Sequence, residues 1–108
     1  MPEAQQAYER IIQKLSSMDS TVTNGKLFGL PSGKVKGNAF AGIFEESMVF
    51  KLYGKSHARA LALPGAHLFD PSGRNRPMKE WVQVPYAQVE HWEELAADAL
   101  EYVGADLK

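Results

Sequence analysis

The hydrophobic period of this chain of 108 residues changes twice along its length, and that change limits the folds open to it. Ala4, Tyr8, Ile11, Ile12 and Leu15 fall at i, i+4, i+7, i+8 and i+11, one apolar stripe on a helix. Trp92, Leu95, Ala96, Ala99 and Val103, at i, i+3, i+4, i+7 and i+11, make a second helical stripe near the other end. Between them, Lys26 to Leu52 is rich in strand-forming residues, with Leu27, Phe28, Val35, Phe40, Ile43, Phe44, Val49 and Phe50 broken by turn chemistry. Strands that cluster together with helices at both ends point to an α+β class. An antiparallel sheet covered by helices fits this better than repeated βαβ units.

Boundaries follow from local chemistry. Pro2 suits a first helical turn, and hydroxyls between Ser16 and Ser20 compete for backbone hydrogen bonds and end the helix. A first strand is expected from about Lys26 to Val35, with Pro31 and Gly33 marking an edge or a bulge. Lys36-Gly37-Asn38 tolerates the positive φ of a tight hairpin, after which Asn38–Phe44 forms the second strand. Glu45-Glu46-Ser47 reads as the next turn. Met48, Phe50 and Leu52 then share one face of a third strand, with Val49 and Lys51 on the other. Ser56 is placed as the cap of a short helix ending before Pro64. Two further strands, His67–Asp70 and Glu80–Val84, flank the polar loop at residues 71–77, and Pro85 opens a helical turn ahead of the last helix, which ends at Gly104. The expected order is α-β-β-β-α-β-β-α, about five strands in a single domain spanning residues 1–108.

Composition removes several functions. Twelve basic and thirteen acidic residues leave a net charge of -1, which argues against polyanion binding by bulk electrostatics. The absence of cysteine excludes a thiol nucleophile, a thiolate zinc site and an iron–sulfur cluster. Glu3, Glu9 and Arg10 interrupt the first 18 residues, so no signal peptide or membrane span is read there, and a cytoplasmic location is expected.

Motifs that carry chemistry are sparse. Gly54-Lys55-Ser56 resembles the end of a phosphate loop, yet Val49 stands where that loop needs glycine. His57, His67 and His91 lack the spacing that would put two imidazoles on one helix face. Glu90, Glu93 and Glu94 sit where negative charge complements a helix dipole, and Glu45-Glu46 occupies a turn, so neither set reads as a catalytic carboxylate pair. The densest basic cluster is Arg74, Arg76 and Lys79, followed by Trp81. This group is the candidate binding site, suited to an acidic partner surface, a phosphate or a stacked base. Trp81 alternates with Gln83 on one face and Val82 with Val84 on the other, a pattern that leaves open which face is wet. No catalytic residue, metal ligand or cofactor is nominated. The aromatic content of the short sheet leaves room for self-association into a homodimer.

Taken in order, Lys26-Leu27-Phe28-Gly29, Lys36-Gly37-Asn38-Ala39-Phe40-Ala41-Gly42-Ile43-Phe44, Leu63-Pro64-Gly65-Ala66, Arg76-Pro77-Met78-Lys79-Glu80-Trp81-Val82 and Val84-Pro85 resemble the TfoX N-terminal-domain family over about residues 24–104. The resemblance implies an α+β domain and a link to competence: TfoX/Sxy regulators act with a cyclic-AMP receptor protein in transcribing DNA-uptake genes. Those regulators carry a further C-terminal domain, and this chain looks like the stand-alone members. No site residue carries over from the family. The expected function is therefore a small interaction module without catalysis that binds a protein partner, a transcription factor among the candidates. Direct DNA contact through Arg74, Arg76 and Lys79 is its rival. The alternative class is a small-molecule-binding protein or enzyme with a cleft between the sheet and the short Ser56–Leu63 helix; a structural subunit is the third reading.

Overall fold

A computed structural model describes residues 3–27, 29–70, 73 and 77–105. Helix α1 (Glu3–Met18) leads into strands β1 (Val22–Leu27), β2 (Leu30–Val35), β3 (Asn38–Phe44) and β4 (Ser47–Lys51). Helix α2 (Gly54–Leu61), β5 (His67–Phe69) and β6 (Met78–Pro85) follow. A 3-10 segment, Tyr86–His91, then leads into α3 (Trp92–Ala105). The fold is α+β: among the described residues one antiparallel sheet, ordered β1-β2-β3-β4-β6-β5, carries three α-helices.

Among the described residues six strands stand where about five were expected, because β1 to β4 form a meander with three hairpin turns. The strand expected from Lys26 to Val35 is in fact split: Leu27 pairs with Leu30 across a two-residue turn, where Gly29 has φ 80°. Upstream, Val22–Leu27 forms the outer strand, so β2 is internal rather than an edge. Pro31 is tolerated in it because the ladder to β3 starts only at Ser32–Gly42, and the expected irregularity lies between Gly33 and Lys34. At the second hairpin Lys36 and Gly37 have φ 53° and 86°, the left-handed pair that matches the twist of the flanking strands.

The helices lie on one sheet face. All five residues of the N-terminal stripe are buried, as are all five of the C-terminal stripe. They pack on Phe40, Ala41, Ile43, Met48, Phe50, Val82 and Val84. Gly33 admits α1 closely, since a Cβ there would lie 2.7 Å from Ile12 Cδ1. Helix α2 starts at Gly54, with Tyr53 at its N-cap and no side-chain cap bond, so Ser56 lies inside the first turn and is not the cap. Instead, His57 Nε2 donates to the Lys79 carbonyl at 2.7 Å and ties α2 to β6.

Candidate functional site

Among the described residues the second sheet face carries no helix, and it still buries apolar side chains. Strand alternation sends Val49 and Trp81 away from the helices, where they form a cluster with Phe69. Leu27, Leu30, Ala39, Phe44 and Met78 pack half-buried around that cluster. The geometry needed is a curl. Phe44 is on β3 and Phe69 on the outer strand β5, three strand spacings apart, and the registers set them level with Pro85 and Met78 at opposite ends of β6, so a flat sheet would hold them more than ~14 Å apart. Their ring centroids are nevertheless 5.4 Å apart, at 60°. The sheet therefore bends so that its helix-free face is concave, and the register shift between Leu68 and Phe69 supplies part of that bend.

This arrangement decides the status of the candidate residues. Trp81 is 5% exposed and packs beside Val49 and Phe69, so its indole is part of the second core and offers no free stacking surface. Val82 and Val84 face the helices, and half-buried Gln83, beside Trp81, sends its amide to Ser47 Oγ at 3.4 Å. Lys79 is exposed at the start of β6. Arg74 and Arg76 lie outside the described residues. Of the expected group, the structure thus places Lys79 and Trp81 on one strand but in opposite environments.

Helix α2 closes against the sheet. Ala60 is fully buried, Leu61 and Leu63 pack on the main core, and α2 lines none of three surface recesses, two beside α1 and one at the end of α3. The cleft expected between the sheet and this helix is not among them. Next to α2, exposed Tyr53 stacks on Tyr102 at 5.4 Å, and Tyr102 donates to Glu80, which also meets Lys51 at 3.7 Å.

Two grooves flank α1. The first, about 690 Å3, separates α1 from the 3-10 segment and α3. Lys14 and Glu93 bridge it at 2.5 Å, with Arg10 and Glu90 also lining it. The second, about 660 Å3, lies between α1 and the β1–β2 hairpin; Gln5, Tyr8, Gln13 and Asn24 line it, and Glu9 is the one charged residue among the described residues that line it. A third recess of about 340 Å3 lies between the Lys36 turn and the end of α3. The Tyr8 hydroxyl is buried without a hydrogen-bond partner, and burial, reinforced by neighbouring Glu9, pushes its pKa well above the ordinary phenol value. At the end of α1, Asp19 accepts from the backbone N–H and the hydroxyl of Thr21, and these bonds hold its carboxyl below the usual range. Among the described residues no three His, Asp or Glu side chains cluster in a way that could hold a metal ion. No helix among them is long and apolar enough to cross a membrane.

Neither periodicity nor any motif singles out Gln5, Gln13 and Asn24 in the sequence, so the amide-lined groove is not nominated there. The signal was present in α1, whose groove side carries uncharged amides where a surface helix more often carries charge. No family model matches the chain, no curated protein matches it, and no solved structure matches its fold.

Proposed function

We propose that this chain is a cytoplasmic interaction module without catalysis that recruits a protein partner, in keeping with its resemblance to the TfoX N-terminal-domain family and with a role in transcription control. The observation that supports this reading is the helix-free concave face. Its centre is closed by Val49, Phe69 and Trp81, while Leu27, Leu30, Ala39, Phe44 and Met78 remain half-exposed around it. An apolar surface on the sheet whose strand β6 carries exposed Lys79, with Arg74 and Arg76 shortly before it in the sequence, suits a partner that offers apolar side chains and acidic ones. Near-neutral net charge favours a protein over DNA.

The test is capture from nuclease-treated lysate at physiological salt, read by mass spectrometry. The wild type is compared with Ala39→Glu, with Arg74→Glu/Arg76→Glu, and with Lys55→Glu on exposed α2 as control. A transcription factor or polymerase subunit held by the wild type and the control but lost in both test variants is the expected result. Capture insensitive to Ala39→Glu and to the arginine pair refutes this surface, and DNA binding that weakens steeply with salt would favour the rival.

A further inference from the structure

We infer that β1 pairs with β1 of a second copy of this chain, continuing the sheet through a two-fold axis at Gly25. The argument begins with the hydrogen-bonding pattern. In the two-residue hairpin Leu27 and Leu30 exchange both bonds, so Leu27, Gly25 and Thr23 point their backbone groups at β2, and Val22, Asn24 and Lys26 point theirs to the outer edge. Val22 is already served: its N–H reaches the Asp19 carbonyl at 3.0 Å and its carbonyl accepts from Ser16 Oγ at 3.3 Å. The outer edge therefore offers four groups, the N–H and C=O of Asn24 and of Lys26.

Those four groups are self-complementary in one register. With the axis at Gly25, Asn24 lies opposite Lys26 of the second copy and Lys26 opposite its Asn24. Each pair exchanges both backbone bonds, which uses every free group on both strands. The two Gly25 residues then face each other at the closely spaced, non-hydrogen-bonded position, where side chains crowd most and glycine brings none. A shift to an axis at Asn24 would set Lys26 opposite Val22, whose groups are taken.

Side chains support the same register. Leu27 packs on the concave face, so alternation puts Asn24 and Lys26 on the helix face, and Asn24 lines the groove under α1. Directly opposite residues share a face, so Lys26 of the second copy stands beside Asn24 at a groove whose one charged lining residue is Glu9. The pairing is thus charge-complementary twice over, once at each groove. On the other face the Lys34 stem lies across Gly25, within 2.8 Å of where a Cβ would be, and brings a like charge toward the axis from each copy.

Sedimentation of the full chain across micromolar to millimolar concentrations tests the pairing. The expected result is a monomer–dimer equilibrium that Lys26→Glu or Glu9→Lys weakens about tenfold or more, that the double swap Glu9→Lys/Lys26→Glu restores, and that Lys34→Gln tightens. Amide exchange identifies the interface: Asn24 and Lys26 N–H groups should gain protection as dimer forms, with Thr23 and Gly25 protected at all concentrations. A monomer throughout the range overturns the inference. A dimer in which Asn24 and Lys26 amides stay unprotected, or in which the swap fails to restore binding to folded variants, also overturns it.

Discussion

Phe69→Ala tests whether the helix-free face is a real second core. Phe69 is fully buried although it lies on a three-residue outer strand, and its burial depends on the curl that brings it to Phe44, Val49 and Trp81. Removing the ring from water-free surroundings costs about 2–3 kcal/mol in transfer energy. A residual void of ~50 Å3 adds about 1 kcal/mol at ~24 cal/mol per Å3, for a total of about 3–4 kcal/mol. Trp81 reports the cluster, so urea unfolding followed by tryptophan fluorescence and by far-ultraviolet circular dichroism measures the loss. A double-mutant cycle of Phe44→Leu with Phe69→Leu should give a coupling of about 0.5–1 kcal/mol, because the rings touch at 5.4 Å. A flat sheet would leave both rings wet and independent. A cost below about 1 kcal/mol, or additive leucine variants, would refute the concave packing.

Three further outcomes follow from single residues. Lys36 holds φ 53° in its hairpin, so Lys36→Asn should raise stability by about 0.5–1 kcal/mol in chemical denaturation. Tyr8→Phe removes a buried hydroxyl with no partner and should leave stability unchanged or raise it by up to ~1 kcal/mol at neutral pH. The wild type should also lose stability as pH rises above about 10, where the unfolded phenol ionises and the folded one resists, and Tyr8→Phe should lose less. Asp19 has its folded pKa depressed by the Thr21 bonds, so its contribution is present above the ordinary carboxylate pKa and fades as pH falls through the lower folded value. Asp19→Asn should flatten that acid limb, and an NMR titration of Asp19 with an ordinary midpoint would contradict the cause.

How far the fold is legible in the sequence depends on which signal each element carries. The stripes of α1 and α3 are complete because both helices bury one face, and the Lys36-Gly37 turn is written in residues that accept positive φ. Strand β1 escapes because it is an outer strand with only Val22 fully buried, so Val22–Leu27 shows no period of two. Trp81 escapes for the opposite reason: both faces of β6 are buried, one by helices and one by the curl, and no alternation can say which apolar set is wet. The start of α2 depends on Gly54 at φ 64°, a backbone turn for which Ser56 was a poor proxy. The groove beside α1 depends on tertiary placement of Asn24 against Gln5 and Gln13, about which neither segment says anything alone.

The two proposed surfaces act on different parts of the sheet, and their consequences combine. In each copy, pairing at β1 consumes the outer edge and reaches the groove between α1 and the β1–β2 hairpin, while the cluster of Val49, Phe69 and Trp81 lies toward the opposite edge, on the other face. A paired sheet would therefore carry two concave faces on one side and all helices on the other. Two identical faces held rigidly bind a two-fold symmetric partner with an avidity well beyond that of one face, provided the spacing matches. The charge variants at Glu9 and Lys26 separate the effects: they should weaken capture of a symmetric partner without altering the affinity of a single face, measured with one immobilised copy of that partner. Equal loss in both formats would mean that the β1 edge touches the partner directly.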